Sequence, residues 1–396
     1  MSIFLEWFSW SVTEWILTSA LGLFLLIQWY FYLFFFSGVS RFSKRVNSGK
    51  IKLADEQPPV TIIITTRDQE AILARQLPLI LEQEYPEYQV VVVNDASSDE
   101  TEDLLKKLAL QYPHLYHTFV PPGVQSISTK KMALTVGIKA AKYDFLLFTE
   151  ANCLPSGPHW IASMMQQFTS KTAVVLSYSR YETIKGLFKN LIAYDNLFQG
   201  LRYLGMAASK RPYMGIGRNL AYRKELFFSQ KGYASHLNLF SGEDDLFISD
   251  VAKGSNTRVE VSPAAVMNIV TEDAKSHWKE ARINQIYTSS YYKPLAKFRT
   301  GMEIFSRYAF YGLFITLLVF GLINGNVPLL VVAGVLFLLR FIVQMVVLNR
   351  GSKALNDKCF YFSILFFDLF LPCYVLLLRF DNMFLRRKSY TRQVLH

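Results

Sequence analysis

Near the start of the chain lies an uncharged apolar run, Trp15–Phe36, long enough as a helix to cross roughly 30 Å of hydrocarbon. Phe305–Ile323 and Val327–Leu348 flank the turn Asn324-Gly325-Asn326 and predict a helical hairpin. Phe360–Leu378 is a fourth apolar segment, interrupted by Asp368 and Pro372. Between these runs the pattern changes to short continuous apolar stretches that alternate with amphipathic ones. The strands expected are Val60–Thr65, Gln89–Asn94, Leu115–Val120 and Asp144–Thr149; the helices between them are Glu70–Glu84, Glu100–Leu110 and Lys130–Ala141. Continuous apolar strands separated by helices of this length predict a buried, mostly parallel sheet. The second half is less regular: an amphipathic stretch Gly186–Ala208, then Tyr213–Arg223, a helix near Asp244–Ala252, and strands near Arg258–Val261 and Ala265–Ile269. Lys275–Tyr292 is basic, aromatic and helical in pattern, as expected of a segment lying on a membrane surface.

This divides the chain into an N-terminal anchor (1–40), an α/β domain (58–274), an interfacial segment (275–300), C-terminal apolar helices (303–380) and a basic tail (381–396). Half of all residues are hydrophobic, and the formal net charge is +11. Soluble domains rarely combine the two, which strengthens the membrane reading. A cleaved signal peptide fits the first run poorly: the run is too long, Glu6 and Glu14 precede it, and no small-residue cleavage site follows. Arg41, Lys44, Arg45, Lys50 and Lys52 come directly after it, so the α/β domain is expected to face the cytoplasm. Three further crossings would carry the tail residues Arg386, Arg387, Lys388 and Arg392 to the other side, so Phe360–Leu378 is read as re-entrant or interfacial. Cys153, Cys359 and Cys373 have no metal-like spacing. The basic excess suits anionic lipid headgroups, and no basic stretch interleaves with aromatics as nucleic acid binding would require. A transporter is disfavoured by the large polar domain and because Asp368 and Arg340 read as isolated charges.

The candidate chemistry lies at strand ends, where open α/β sheets bind ligands. The first strand runs into Thr65–Glu70, TTRDQE, a weak signal because helix starts favour Thr and Asp in any case. The second ends at Asp95, with Ser97, Ser98 and Asp99 following. Helix capping accounts for Ser98 and Asp99 but not for Asp95, whose carboxylate is suited to the imide hydrogen of a nucleobase. Lys130 and Lys131 open a helix at the same sheet edge, as diphosphate ligands or as a solvated basic turn. The fourth strand ends in Glu150-Ala151-Asn152, two oxygen ligands suited to a hard cation on a diphosphate, with a neutral carbonyl at the second position. Gly215 and Gly217 flank the approach to Arg218 and Asn219, permitting close backbone contact or a strand bulge. Glu243, Asp244 and Asp245 are three consecutive acids opening a helix. Helix-dipole complementarity accommodates acids there. Like-charge crowding also raises at least one carboxyl pKa, which is what a general base needs.

The stretches VTIIITTRDQE, VVVNDASSDET, KKMALTVGIKAAKYDFLLFTEANCLP and SGEDDLF, in this order, resemble glycosyltransferase family 2 over about Pro58 to Tyr292. The resemblance implies the GT-A fold, a Rossmann-like mostly parallel sheet, here flanked by transmembrane helices as in membrane-anchored bacterial members. It implies a nucleobase contact at Asp95, a nucleoside pocket lined by Thr65, Arg67 and Glu70, and Lys130 nearby. Glu150 and Asn152 would occupy the two ends of the family's Asp-x-Asp motif, holding the donor's ribose and a Mg²⁺ or Mn²⁺ on its diphosphate, with Asn152 as a departure from that motif. Asp244, between Glu243 and Asp245, would be the base that deprotonates the acceptor. The Gln-x-x-Arg-Trp motif of many processive members is absent; Trp278, Lys279 and Arg282 stand in that region, with Lys279 or Arg282 as a diphosphate clamp. The reading is a multi-pass, membrane-bound inverting glycosyltransferase of the bacterial inner membrane, moving sugar from a nucleotide-sugar donor to a lipid-linked or envelope glycan acceptor, with envelope-biosynthesis proteins as expected partners and no nucleic acid. The alternative is a catalytically degenerate relative that binds nucleotide-sugar or serves as a scaffold subunit.

Overall fold

A computed structural model describes residues 10–121, 128–182, 186 and 188–393, with side chains as far as residue 378. The side chains of the basic tail lie outside the described residues. The chain forms two compact units, one of Met1–Ser37, Pro294–Gly351 and Cys359–His396, the other of Gly38–Lys293 with Ser352–Lys358. The boundary expected at residue 274 therefore falls inside the second unit.

That second unit is built on a seven-stranded sheet in the order β3-β2-β1-β4-β8-β6-β9. The strands are β1 Val60–Thr66, β2 Tyr88–Asp95, β3 Leu115–Val120, β4 Phe145–Glu150, β6 Val174–Leu176, β8 Leu220–Arg223 and β9 Thr257–Val259. β1 to β4 are parallel neighbours, while β8 runs antiparallel to both β4 and β6. A small sheet, β5-β10-β7, comprises Cys153–Pro155, Met267–Ile269 and Ser179–Tyr181. The regular half follows the apolar pattern closely, because strands buried on both faces must be apolar throughout. Ile62, Ile64, Val90, Val92 and Leu147 pack with Leu73, Leu77 and Trp160 on one face. Val91, Val93 and Val120 meet Ala133 on the other. There the helix Thr129–Ala140 approaches so closely that a Cβ on Gly137 would stand 2.8 Å from Ile63 Cγ2.

The parallel register sets the functional edge. Thr65 pairs with Val93 on one side and Glu150 on the other, and Asn94 pairs with Thr66. The carboxyl ends of β1, β2 and β4 thus finish in one row. The segment Tyr213–Arg223 is a 3-10 turn, Gly217–Asn219, followed by β8 rather than one continuous element. Asn219 explains the turn: its amide donates to Tyr178 O at 2.8 Å and Ala265 O at 2.7 Å, and its carbonyl accepts Trp160 Nε1–H at 3.1 Å.

In the other unit, the continuous helical run Val12–Asn47, of which the part before Gly38 belongs here, and the helices Pro294–Ile323 and Val327–Ala354 are long and apolar enough to cross a membrane; the apolar part of the last helix, Ser363–Leu378, is shorter. The turn at Asn324–Asn326 is present, with Gly325 at φ +62°. Leu21, Leu25, Phe310, Leu317, Leu329 and Ala333 form its apolar core. Arg340 and Asp368 are not isolated, contrary to expectation. Arg340 Nη2 lies 2.7 Å from Asp368 Oδ2, which also accepts Tyr311 O–H at 2.7 Å, and Arg340 donates to Gln28 Oε1 at 3.0 Å. Arg307 pairs with Glu303 beside them. Charges placed where water is scarce are tolerated when they pair in this way.

Candidate active site

The loops after β1 and β2 are stapled to each other. Asp68, in the left-handed region at φ 51°, accepts Ser98 N–H at 2.7 Å and Ser98 Oγ–H at 3.0 Å, while its own N–H donates to Ser97 Oγ at 3.0 Å. Asp99 Oδ2 accepts Glu70 N–H at 2.9 Å, so Asp99 steadies the Glu70 helix as well as its own, where Oδ1 accepts Thr101 N–H. Ser98 serves the cross-loop staple instead of capping its own helix. Asp95, buried at the end of β2, accepts the Thr129 hydroxyl at 2.6 Å, which fixes the start of the Lys130 helix against the strand. Arg67 is exposed, 3.9 Å from Asp68.

Lys130 and Lys131 diverge. Lys131 is 2% exposed and donates to three carbonyl oxygens, those of His236 (2.7 Å), Leu239 (2.6 Å) and Ser241 (3.0 Å). It pins the loop that leads into the acid triplet. Lys130 instead points along the sheet edge, with Nζ 3.0 Å from Glu150 Oε1 and 3.1 Å from Glu243 Oε1. Burial alone would raise the Glu150 carboxyl; the Lys130 ammonium and the Arg218 guanidinium outweigh it and hold it at about 2.

These residues open into a cavity of about 310 Å³ lined by Lys130, Glu150, Arg218, Glu243, Asp244 and Asp245 on the sheet side. A hollow of about 20 Å³ shares Lys130, Glu150, Glu243 and Asp244 with it and reaches Thr65. Neither is lined by Arg67, Glu70, Asp95 or Lys279. The opposite wall is the helix Ala274–Thr288, the segment expected on a membrane surface, which presents His277, Trp278 and Arg282 to the cavity. The wall is anchored by Asp195, fully buried within the helix Lys189–Ala208: its Oδ2 accepts Trp278 Nε1–H at 2.8 Å and faces Arg282 Nε at 2.9 Å. Asp195, Arg218, His277 and Tyr181 were not assigned to the site from sequence. An acid inside an amphipathic helix reads as a solvated face, and only the place of Trp278 and Arg282 where the family resemblance puts a clamp motif pointed to this wall.

The acid triplet is differentiated by its surroundings. Asp244 receives Gly217 N–H on Oδ2 and Asp245 N–H on Oδ1, each at 2.7 Å. Burial and the neighbouring Glu243 charge nevertheless push its carboxyl above the usual range. Asp245 turns inward, where Tyr292 O–H donates to Oδ2 at 2.8 Å and Thr288 Oγ–H donates to the same oxygen; burial and the Asp244 charge bring its carboxyl to about 7. Glu243 is bound to Lys130. All three line the cavity, and Asp244 is the one whose carboxylate two backbone N–H groups orient.

Asn152 tests the fit of a divalent cation. It is 7% exposed; its Nδ2 lies 3.4 Å from His277 Nε2, and its Oδ1 faces Cys153 Sγ at 3.6 Å. Tyr181 O–H and His277 Nδ1 are 2.9 Å apart, completing that polar chain. Burial and the Arg218 charge lower the His277 pKa, favouring a neutral ring. Glu150 meanwhile faces an ammonium. The pair does not present two facing oxygens to a hard cation, which takes oxygen ligands. Among the described residues no group of three or more His, Cys, Asp or Glu side chains is arranged to hold a metal.

Comparison with known proteins agrees with this architecture. Over 352 residues the chain is 22% identical to a probable glycosyltransferase, YdaM, of Bacillus subtilis, covering 81% of each. It is 26% identical over 100 residues to the poly-beta-1,6-N-acetyl-D-glucosamine synthase of Staphylococcus aureus, spanning about a quarter of the length of each (25% of this chain, 23% of the synthase). Among solved structures, the mannosyltransferase PcManGT from Pyrobaculum calidifontis, in complex with GDP-Man and Mn²⁺, superposes with a TM-score of 0.51 at 18% identity, covering 85% of this chain and 99% of that one. It shares the GT-A fold with this chain. The family described as "Glycosyltransferase like family 2" matches residues 58–286, more than half of the chain. A mostly parallel α/β sheet matched over that length makes this chain a member of glycosyltransferase family 2.

Proposed function

We propose that the protein is a membrane-bound inverting glycosyltransferase that uses a nucleotide-sugar donor and a lipid-linked or envelope glycan acceptor. The observation that carries this reading is Asp244, held by two backbone N–H groups in the wall of a 310 Å³ cavity that Lys130 and Arg218 also line. A donor diphosphate suits Lys130 and Arg218, and an acceptor hydroxyl suits the wall of Trp278, Asn284 and Gln285. The acceptor oxygen attacks the anomeric carbon as the bond from that carbon to the diphosphate oxygen breaks. The departing diphosphate takes the electron pair, and the hydroxyl proton passes to Asp244. A carboxyl with a raised pKa is the better base for this transfer. Fixed positive charge at the leaving group stabilises what develops there without reorganisation. Asp95, Thr65, Arg67 and Glu70 are proposed for the nucleoside, and Arg282, which lines the cavity as Lys279 does not, for a further diphosphate contact.

PcManGT binds GDP-Man and Mn²⁺; a nucleotide-sugar donor is carried over to this chain, whereas no step here passes through a metal. Three helices suited to a membrane and the basic stretch after the first support an inner-membrane location with the α/β domain in the cytoplasm. There, an acceptor on the cytoplasmic leaflet would be concentrated near the site. The test is transfer from UDP- and GDP-sugars to membrane lipid extracts by purified full-length protein. Radiolabel entering the lipid or glycan fraction is expected; donor binding without transfer to any extract contradicts the acceptor assignment.

A further inference from the structure

A cation already stands where the donor's diphosphate would need one. Lys130 Nζ bridges Glu150 at the end of β4 and Glu243 at the head of the acid triplet, at 3.0 and 3.1 Å. An ammonium has three N–H donors, so one remains for a phosphate oxygen. Arg218, 8% exposed and lining the same cavity, has an Nε that finds no acceptor among the described residues. Asn152 completes the contrast, its amide turned to His277 and its carbonyl to Cys153. A divalent ion entering at Glu150 would have to displace the ammonium, against repulsion of like charge at close range.

We propose that Lys130 takes the place of the divalent cation in this site, so that a nucleoside diphosphate binds through the Lys130 ammonium and the Arg218 guanidinium without Mg²⁺ or Mn²⁺. This assignment rests on the donor reading above and goes beyond it in naming what holds the diphosphate. Glu150 and Glu243 then act as positioning residues: they fix the ammonium, and they do not ligate a metal.

The experiment is calorimetric titration of UDP and of GDP into the full-length protein in detergent, with excess EDTA and with millimolar Mn²⁺. At least one nucleotide is expected to bind with an affinity that differs by less than about threefold between the two conditions, and Lys130→Ala is expected to weaken its binding in EDTA by at least about thirtyfold. Wild-type binding that collapses by about thirtyfold or more in EDTA overturns the Lys130 assignment alone, whatever the variant does. So does a Lys130→Ala protein that binds as tightly as wild type in EDTA. Failure of both nucleotides to bind in either condition overturns the donor reading and the Lys130 assignment with it.

Discussion

Arg282 Nε lies 2.9 Å from Asp195 Oδ2, joining the helix Ala274–Thr288 to the fully buried middle of the helix Lys189–Ala208. Trp278 donates to the same carboxylate. One carboxylate therefore holds two side chains of the cavity wall in place. Removing it leaves a largely buried guanidinium without its counter-charge, a change that costs about 3–5 kcal/mol in comparable pairs. Asp195→Ala is accordingly expected to lower the unfolding free energy by about 3 kcal/mol, measured by tryptophan fluorescence in denaturant. A loss below about 1 kcal/mol, the scale of an exposed pair, contradicts this role.

The polar cluster of the apolar unit gives a second prediction. Arg340 and Asp368 neutralise each other within a set that includes Gln28 and Tyr311. Asp368→Leu strands a buried cation, whereas the double change Arg340→Leu, Asp368→Leu removes both charges. The single variant is expected to reduce the yield of monodisperse protein sharply, and the double variant to recover most of it. A coupling free energy near zero in the double-mutant cycle contradicts the pairing.

Asp245 predicts a pH dependence of stability. Its folded carboxyl sits at about 7, against roughly 3.9 when unfolded, so the folded state binds the proton more tightly. The stabilisation this provides is complete below about pH 4 and is lost as pH rises through 7. Asp245→Asn keeps an acceptor for Thr288 and Tyr292 but carries no charge. Its melting temperature is expected to match wild type near about pH 4 and to exceed it by roughly 2–4 °C or more at about pH 8. A difference that does not change with pH contradicts the assignment.

The regular half of the fold was legible because the inner strands Val60–Thr66, Tyr88–Asp95 and Phe145–Glu150 bury both faces and so carry continuous apolar stretches, while the edge strand Leu115–Val120 shows as a short run between two helices. The three-residue strands Cys153–Pro155, Val174–Leu176 and Ser179–Tyr181 were not, since runs so short carry no period and depend on pairing with distant segments such as Met267–Ile269. For the site, strand ends pointed to Glu150, which lines the cavity, and to Asp95, which does not, and crowding of like charge pointed to Glu243–Asp245. What sequence could not convey was direction. Adjacent lysines diverge, one onto three loop carbonyls and the other onto two carboxylates. Asp195 reads as a surface acid until the Ala274 helix closes over it, and the same closure turns a segment with a membrane-surface pattern into a cavity wall. The charges at Arg340 and Asp368 read as isolated because they lie on separate helices.

Asp244 is the proposed base of the transfer. Asp244→Asn preserves size and keeps a carbonyl for one of the two backbone N–H groups that Asp244 accepts, while removing the proton acceptor. The direct measurement is sugar transfer by wild type and Asp244→Asn, alongside nucleotide affinity by calorimetry. Transfer is expected to fall by about a thousandfold or more, within the range attributed to a positioned general base, with nucleotide affinity changed by less than about threefold. Transfer at the wild-type rate by Asp244→Asn would contradict that role.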